Sequence, residues 1–395
     1  MAINLQNEIM KVALSVIGKF HNFDLARELH ARDALACIYS GYPKFKLKGE
    51  QLPESLVHTH SWLHGSYMAY PWKQHTSESV MQLWRHWAAV DFGRYVARNL
   101  VDCDVYMGLS GSTLAAGKVA QRRGARYVCD RGSTHIRFQD QILHEENAKW
   151  GVHTKPVDSR TIAIEEAEYA QADLITVPSN FVRRTFVEQG VPENKLRVLP
   201  YGVNLTRFTP AGQPDEGRFD ILFVGGMSLR KGVQYLVQAY SKLSHPAKSL
   251  TFVGAPSLIV MDLLKARGLW PEDAKVLGHI PQEELKHLMS KSHVLVLPSI
   301  EEGLALVQAQ AMACGCPVIG TPNAGSENLF TDGVEGFIVK AGDVNALHDK
   351  LAHLASDTAL QLAMRQKSVL KIRDIGGWKQ YGQAVMVALT EEVKK

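Results

Sequence analysis

Residues 298–320, "PSIEEGLALVQAQAMACGCPVIG", have the pattern of a strand end, a tight turn, a helix and a second strand. The turn carries two carboxylates, Glu301 and Glu302, just before Gly303, and the predicted helix "LALVQAQAMACG" follows it. A helix that starts at such a turn presents free backbone N–H groups and the positive end of its dipole, which suits a phosphate group. Strand–turn–helix–strand units of this kind are typical of parallel α/β sheets.

The same alternation of β-branched runs and helical stretches continues along the chain. In the first half it predicts strands at residues 11–18, 36–40, 101–109, 125–130, 172–179 and 196–203. In the second half it predicts strands at residues 218–226, 249–255, 274–280, 293–299, 316–321 and 336–340. Residues 209–217, "TPAGQPDEG", indicate a linker between the two series. We therefore predict an α/β protein with two doubly wound domains facing each other across a cleft, with ligands at the carboxyl ends of the strands.

Composition excludes several classes of protein. With 395 residues, 46% of them hydrophobic and 21% charged, the chain is long enough for two globular domains. Its formal net charge of +4 gives no indication of nucleic-acid binding. No apolar run is long enough to cross a bilayer. We interpret "MKVALSVIG" as a first strand rather than a signal peptide, because Glu8 precedes it and no cleavage pattern follows.

The cysteines and histidines do not indicate a metal site. Five scattered cysteines, an odd number, are typical of reduced thiols in a cytoplasmic protein. The "CGC" at residues 314–316 lacks a second ligand pair, so we interpret it as a turn between helix and strand. We interpret "HTHSWLHG" at residues 58–65 as a loop rather than a zinc site.

Two segments, at residues 42–48 and 82–99, interleave aromatic side chains with Lys and Arg. Such a pattern is typical of a surface for anionic lipid head groups, and equally of a solvated helix face. The sequence leaves both interpretations open.

The charged residues around the predicted phosphate site indicate its ligand. A carboxylate at Glu302 would repel a phosphate, so its position is explained if the ligand presents hydroxyl groups there. Gln310 lies two turns along the helix, roughly the span of a diphosphate away at about 1.5 Å per residue. A ligand with hydroxyls at both ends and a diphosphate in the middle is a nucleotide sugar. Glu302 would hold its sugar, the helix N-terminus its diphosphate and Gln310 its ribose.

A second strand–turn–helix element, "FVGGMSLRKGVQYLVQAY", supports this interpretation. Arg230 and Lys231 lie in its glycine-rich turn, after the carboxyl end of the predicted strand. A diphosphate that leaves the sugar gains negative charge, and cationic side chains at the carboxyl end of the strand would stabilise it.

These motifs resemble those of the family 4 retaining glycosyltransferases, which have the GT-B fold of two Rossmann-like domains. The resemblance is carried by residues 298–339, 222–240 and 172–210. It implies an N-terminal acceptor-binding domain over 1–206 and a donor-binding domain over 207–375. It also implies a closing helix over 376–395 that crosses back to the first domain.

The resemblance also implies roles for the residues of the donor site. Glu302 corresponds to the first Glu of the family's E-x7-E motif, which contacts the sugar, and Gln310 replaces the second, which binds the ribose. Lys231 corresponds to the lysine that holds the diphosphate. The arginine that usually accompanies it would fall at Gly226, so Arg230 is the substitute that the sequence offers.

Further roles follow from the resemblance for residues in neighbouring loops. It places Gly18, Ile280, Gly303, Leu304, Ala305 and Leu306 with Gly226 and Gln310 among the donor-binding residues. It makes His135 the active-site histidine beside the sugar and places His21 and Arg131 in loops that face the acceptor.

The implied reaction is retaining transfer of a sugar to an acceptor hydroxyl, without metal or cofactor. Its partners would be a nucleotide sugar and a saccharide or lipid-linked acceptor in bacterial polysaccharide, lipopolysaccharide or glycoconjugate assembly. The protein would be located in the cytoplasm, and peripheral contact with the inner membrane is left open.

Two alternatives to this function remain. Gln310 and Gly226 favour a degenerate GT-B protein that binds without turnover, whereas a Rossmann oxidoreductase would need a G-x-G-x-x-G that "VIGKFHN" does not supply.

Overall fold

The computed structural model describes residues 9–72 and 75–395; the remaining positions of the predicted first domain, including Glu8, lie outside the described residues. The first sheet is entirely parallel, with the strand order β3-β2-β1-β4-β5-β6-β7. Its strands are β1 (Val12–Val16), β2 (Leu35–Ser40), β3 (Val57–Thr59), β4 (Val105–Leu109), β5 (Arg126–Asp130), β6 (Leu174–Val177) and β7 (Leu196–Val198).

Helices cover both faces of this sheet. They are α1 (Asn22–His30), α2 (Lys44–Leu47), α3 (Trp62–Ala69), α4 (Glu78–Asn99), α5 (Leu114–Arg122), α6 (Ile136–Lys149), α7 (Ser159–Gln171) and α8 (Asn180–Glu188). The strand "VALSV" of β1 is buried at every position, as expected of a parallel sheet covered on both faces.

The second sheet is also entirely parallel, with the order β10-β9-β8-β11-β12-β13. Its strands are β8 (Phe219–Val224), β9 (Lys248–Val253), β10 (Lys275–Val276), β11 (Val294–Leu297), β12 (Val318–Gly320) and β13 (Gly336–Ile338). The helices of this half are α9 (Val233–Lys242), α10 (Leu258–Ala266), α11 (Gln282–Lys291), α12 (Leu306–Ala313), α13 (Val344–Ser356), α14 (Thr358–Ile375) and α15 (Trp378–Val393).

The predicted fold class, two doubly wound α/β domains, is confirmed. The strand order reverses between β1 and β4 in the first sheet and between β8 and β11 in the second. Ligands of such sheets bind at these switch points, outside the carboxyl ends of the strands. The loops after β1, β8 and β11 are therefore the places where the chemistry belongs.

One predicted loop is part of a strand and part of a helix. His58 lies in β3, which pairs with β2 at the edge of the first sheet, and residues 62–65 begin α3, so the interpretation of residues 58–65 as a loop was wrong. A strand of three half-buried residues is too short to show a period in the sequence. Within residues 9–72 and 75–395, no group of three or more His, Cys, Asp or Glu side chains could hold a metal ion.

The closing helix α15 lies against the first domain. A parallel bridge joins Val203 to Gly377, and the Arg32 guanidinium donates to the carbonyl of Lys379 at 3.0 Å. The ring of Tyr381 lies 6.3 Å from that of His21, between ring centres. The domain limits at 206 and 375 remain predictions.

The structure has no helix among the described residues that is both long and apolar enough to cross a membrane. All five cysteines are free thiols. Cys314 and Cys316 are buried at the turn between α12 and β12, and burial raises the pKa of the Cys316 thiol to about 12.

Candidate functional site

The turn after β11 contains a fully buried carboxylate, Glu301, that joins the two domains. Its Oε1 accepts hydrogen bonds of 2.6 Å from the hydroxyls of Ser133 and Thr134 in the first domain. Its Oε2 accepts from Arg230 Nε at 2.7 Å and from Gln139 Nε2 at 3.0 Å. Burial alone would raise the pKa of this carboxyl, but Arg230 and the hydrogen bonds lower it to about 2. Glu301 is therefore ionised at neutral pH.

Gly303 lets the same turn pack directly against the first domain. A β-carbon added at Gly303 would lie 1.9 Å from the carbonyl oxygen of Gly132, so only glycine fits there. The hydroxyl of Ser179 donates to the Gly303 carbonyl at 2.7 Å. The structure thus places Gly303 against the first domain, where its role is close packing.

The two charged residues predicted to bind the donor pair with each other. Lys231 Nζ forms an ion pair with Glu302 Oε1, and the Ser299 hydroxyl lies 3.4 Å from the same oxygen. Glu302 is only 8% exposed, so this ion pair is largely shielded from water. A ligand that binds either residue has to replace this contact.

Arg230 completes the charged cluster. Its Nε donates to the Glu301 carboxylate and, at 3.0 Å, to the Glu301 carbonyl. Its terminal nitrogen lies 4.0 Å from Glu302 Oε2. By contrast, Gly226 is exposed, and a β-carbon added there would meet no atom within 4 Å. Arg230 thus brings a cation to this turn, at a different place from Gly226.

A cleft of about 600 Å³ lies between the carboxyl ends of the first sheet and α12. Its lining residues are Lys19, Phe20, His21, Asp24, Glu50, Leu109, Ser110, Arg131, Gly132, Ser133, Tyr201 and Leu306. Leu306, in the first turn of α12, is the one lining residue that comes from the second domain.

His21, predicted to face the acceptor, lies in the wall of this cleft. Its Nε2 is 2.7 Å from Asp130 Oδ2, and its ring stacks on Tyr201 at 4.1 Å between ring centres. Asp130 Oδ1 accepts from the hydroxyl of Thr176 at 2.7 Å. These contacts hold the His21–Asp130 pair in place at the edge of the cleft.

Arg131 also lines the cleft, but its nitrogens are bound to protein groups. It pairs with Glu165 at 2.8 Å and donates to the Thr134 carbonyl and to Gln139 Oε1, both at 3.0 Å. These bonds fix the loop that presents Thr134 to Glu301. Arg131 acts here through the loop that it positions.

His135, predicted as the active-site histidine, is not among the residues that line the cleft. It is the N-cap of α6, where its Nδ1 accepts from the backbone N–H of Arg137, and its ring lies 5.0 Å from Tyr169 and 4.9 Å from Phe186. Burial, with Arg131 nearby, lowers its pKa to about 4. The histidine that lines the cleft is His21.

The remaining predicted donor residues lie around α12 and the neighbouring loops. Leu304 and Ala305 are buried, and only Leu306 reaches the cleft. Gln310 is half-buried on α12, and its side chain makes no hydrogen bond with any residue in the described part of the chain. Ile280 is half-buried in the loop after β10, at the carboxyl edge of the sheet. Gly18 is buried in the loop after β1, where its carbonyl accepts from Ser40 Oγ at 3.3 Å.

A second contact joins the domains at the far end of α6. Glu146, only 2% exposed, accepts 2.7 Å hydrogen bonds from Gln234 Nε2 and the Tyr235 hydroxyl on α9. Trp150 lies under the guanidinium of Arg267, 4.7 Å from its ring centre. The sequence did not indicate these contacts, nor those of Glu301 with the first domain, because the partners are distant in the chain.

Two family models together match most of the chain. One, described as Glycosyltransferase Family 4, matches residues 19–207, and the other, Glycosyl transferases group 1, matches residues 206–369. A D-inositol 3-phosphate glycosyltransferase from Arthrobacter sp. is 31% identical over 46% of this chain and 47% of its own. A GDP-mannose-dependent alpha-(1-6)-phosphatidylinositol monomannoside mannosyltransferase from Mycolicibacterium smegmatis is 28% identical over 66% of this chain and 69% of its own. The chain spans about half the length of the inositol phosphate relatives that it matches.

Solved structures share the whole fold at low sequence identity. Sucrose-phosphate synthase from Thermosynechococcus elongatus has a TM-score of 0.71 at 19% identity, over 97% of this chain and 98% of its own. HepE from Anabaena, crystallised with UDP and glucose, has a TM-score of 0.69 at 16% identity, over 97% of this chain and 100% of its own. With the two family models, these similarities agree with the two sheets described above. The chain therefore belongs to the family 4 glycosyltransferases with the GT-B fold.

Proposed function

We propose that the chain is a retaining glycosyltransferase that moves a sugar from a nucleotide-diphosphate sugar to an acceptor hydroxyl. The observation that carries the proposal is the Lys231–Glu302 ion pair, with Arg230 beside it at the carboxyl edge of the second sheet. A cation for the diphosphate and a carboxylate for the sugar hydroxyls stand here side by side.

When the donor binds, Lys231 and Glu302 separate from each other and each binds the donor instead. The diphosphate takes Lys231, and the released Glu302 carboxylate accepts hydrogen bonds from the sugar. Arg230 keeps its bond to Glu301 and adds a second positive charge at a fixed place. The N-terminus of α12 adds the positive end of its dipole.

The chemical step needs no nucleophile from the protein. The bond from the sugar C1 to the diphosphate oxygen breaks, while the acceptor oxygen forms its bond to C1 on the same face. The acceptor proton passes to the departing diphosphate oxygen, so neither a metal nor a cofactor takes part. Lys231 and Arg230 stabilise the charge on the leaving group, and loss of one such contact costs on the order of 10²–10³ in rate.

The relatives support this donor and suggest the acceptor. One is named for GDP-mannose and a phosphatidylinositol mannoside, another for inositol 3-phosphate, and HepE was crystallised with UDP and glucose. The proposed acceptor is a saccharide or a lipid-linked saccharide in bacterial polysaccharide, lipopolysaccharide or glycoconjugate assembly.

The proposed place is the cytoplasmic face of the inner membrane, with peripheral contact. Phe45, Trp62 and Trp72 are 66%, 75% and 61% exposed, and Lys44 and Lys46 flank the first of them. Exposed aromatic rings beside lysines suit the head-group region of an anionic bilayer.

A binding protein without turnover is the second candidate. Gly226 stands where the family has an arginine, and Gln310 stands where it has the second Glu of the E-x7-E motif. Both changes would lower donor affinity and turnover. The intact pair of Lys231 and Glu302 favours the enzyme.

The experiment is a panel of UDP-, GDP- and ADP-sugars, incubated with the protein and bacterial extracts that contain acceptors. We expect transfer from one donor class, with the anomeric configuration of the donor retained in the product by ¹H NMR. Donor binding without transfer or hydrolysis would establish the second candidate. An inverted product would overturn the proposed mechanism.

A further inference from the structure

A second cavity of the first domain borders the cleft. This cavity of about 550 Å³, here called the polar pocket, lies between α4, α7 and the carboxyl ends of the first sheet and shares Ser110 with the cleft. Arg131 stands at the junction, because it contacts both the Ser110 hydroxyl and Glu165, which lines the polar pocket.

The carboxylates of the polar pocket are neutralised by the protein itself. Each is paired with an arginine: Glu78 with Arg85, Asp158 with Arg160 and Glu165 with Arg131. The ring nitrogen Nδ1 of His86, in contrast, is buried and has no hydrogen-bond partner among the described residues. The pocket is thus lined by a histidine with one ring nitrogen that the described residues leave unpaired.

A third cavity, the apolar furrow, continues from the polar pocket. It has a volume of about 310 Å³, lies between α4, α5 and α7, and shares Ala89, Gly111 and Ile164 with the polar pocket. Its other apolar lining residues are Val90, Gly93, Leu114 and Ala115.

An exposed apolar stripe of α4 leads to the furrow, and two cationic side chains line it. Val80, Leu83 and Trp87 are 51%, 41% and 50% exposed, and their spacing places them in one stripe of α4 that leads to Val90 in the furrow. Arg94 and Lys118 line the furrow, and neither forms an ion pair within residues 9–72 and 75–395. Glu168 lines it too, but its carboxylate accepts from the backbone N–H groups of Gly111 and Thr113.

We propose that the acceptor is an anionic amphiphile with a single apolar chain. Its hydroxyl enters the cleft, its polar linking group lies in the polar pocket beside His86, and its chain lies in the apolar furrow. This inference rests on the proposed glycosyl transfer and names its acceptor class. A free saccharide would use the cleft and the polar pocket but leave the furrow and its exposed stripe without a function.

The test uses dodecyl phosphate, below its critical micelle concentration, as the probe of the furrow. Butyl phosphate is the probe with a short chain, and both are titrated into the full-length protein by calorimetry. We expect butyl phosphate to bind at least roughly 100-fold more weakly, because burial of about three to four of the eight additional methylenes is enough for that factor. Equal binding of the two probes would overturn the proposal.

Three variants locate the binding. Ala115 is exposed in the furrow, so Ala115→Trp should fill it without disturbing the core and weaken dodecyl phosphate binding at least about tenfold. Lys118→Glu should weaken it through charge repulsion. Leu370→Trp, at a 64% exposed position of α14, is the control and should bind as the wild type does. Wild-type affinity in both furrow variants would contradict the assignment.

A parallel titration with UDP separates this inference from the proposed function. Ala115→Trp should keep UDP binding and lose dodecyl phosphate, whereas Lys231→Ala should do the reverse. If dodecyl phosphate binds in the furrow but no nucleotide or nucleotide sugar binds the protein, the proposed function fails and the acceptor assignment fails with it. If UDP binds and dodecyl phosphate does not, only the furrow assignment fails.

Discussion

The hydroxyl of Thr134 in the first domain donates a 2.6 Å hydrogen bond to the buried carboxylate of Glu301 in the second. The same carboxylate binds Arg230 at 2.7 Å, and Arg230 in turn lies 4.0 Å from Glu302. One charged group therefore joins the domains and orients a cation of the proposed donor site. A change at this point should affect stability and activity together.

Glu301→Gln should reduce the acid dependence of stability. The pKa of Glu301 falls from 4.5 to about 2 on folding, so its contribution is fully present above pH 4.5 and is lost as the pH falls toward 2. The variant should be less stable at pH 7, by on the order of 3 kcal/mol, and its free energy of unfolding should change less between pH 4.5 and 2. Urea unfolding measured across that pH range checks this.

The matched control for Glu301 is another glutamate between the domains. Glu327 pairs with Arg184 at 2.8 Å, and both side chains are more than a third exposed. Glu327→Gln should cost no more than about 1 kcal/mol. Equal losses in the two variants would show that burial of Glu301 has no special effect.

Gly303→Ala should weaken the contact between the domains. Its new methyl group would collide with the Gly132 carbonyl, whereas Gly226→Ala would place the methyl group in open space. We expect a loss of about 1–3 kcal/mol for the first variant and a change within about 0.5 kcal/mol for the second. Thermal unfolding of both proteins makes the comparison, and an equally stable Gly303→Ala protein would contradict this packing.

Gly226→Arg should strengthen donor binding. The position is exposed, has open space around it and is not in the left-handed region of φ, so an arginine fits. A further cation beside the diphosphate should tighten UDP binding by about tenfold, the effect of a charge-assisted hydrogen bond of about 1.4 kcal/mol. Calorimetry with UDP measures it; weaker binding would place the diphosphate elsewhere.

Gln310→Glu should keep or tighten donor binding. A carboxylate can accept hydrogen bonds from both ribose hydroxyls with charge assistance, whereas Gln offers one acceptor oxygen and an NH₂ donor. Because the Gln310 side chain makes no hydrogen bond with a described residue, the change should not disturb the fold. A large loss of nucleotide affinity in this variant would show that Gln310 has another role.

The fold could be predicted because the strands of both sheets are short apolar runs separated by helices. The apolar runs that predict β8 and β11 coincide with the switch point of the second sheet. β3 was missed because three half-buried residues carry no period.

The site could be predicted only in part. Glu302 and Lys231 lie in turns directly after buried strands, so their proximity follows from the parallel sheet. The role of Glu301 between the domains was missed because Ser133, to which it is hydrogen-bonded, lies 168 positions away in the chain. His135, predicted to lie beside the sugar, packs against Tyr169 and Phe186, and local sequence does not encode this packing.

The measurement that tests the account most directly compares UDP affinity and sugar transfer in Lys231→Ala and Glu302→Ala, with Lys242→Ala as the exposed control on α9. Because Lys231 pairs with Glu302, Lys231→Ala should weaken UDP binding, whereas Glu302→Ala should keep or tighten it by releasing the lysine. Turnover should fall on the order of 10²–10³ in both variants, and Lys242→Ala should match the wild type. Near wild-type turnover in either variant of the pair would contradict the proposed site.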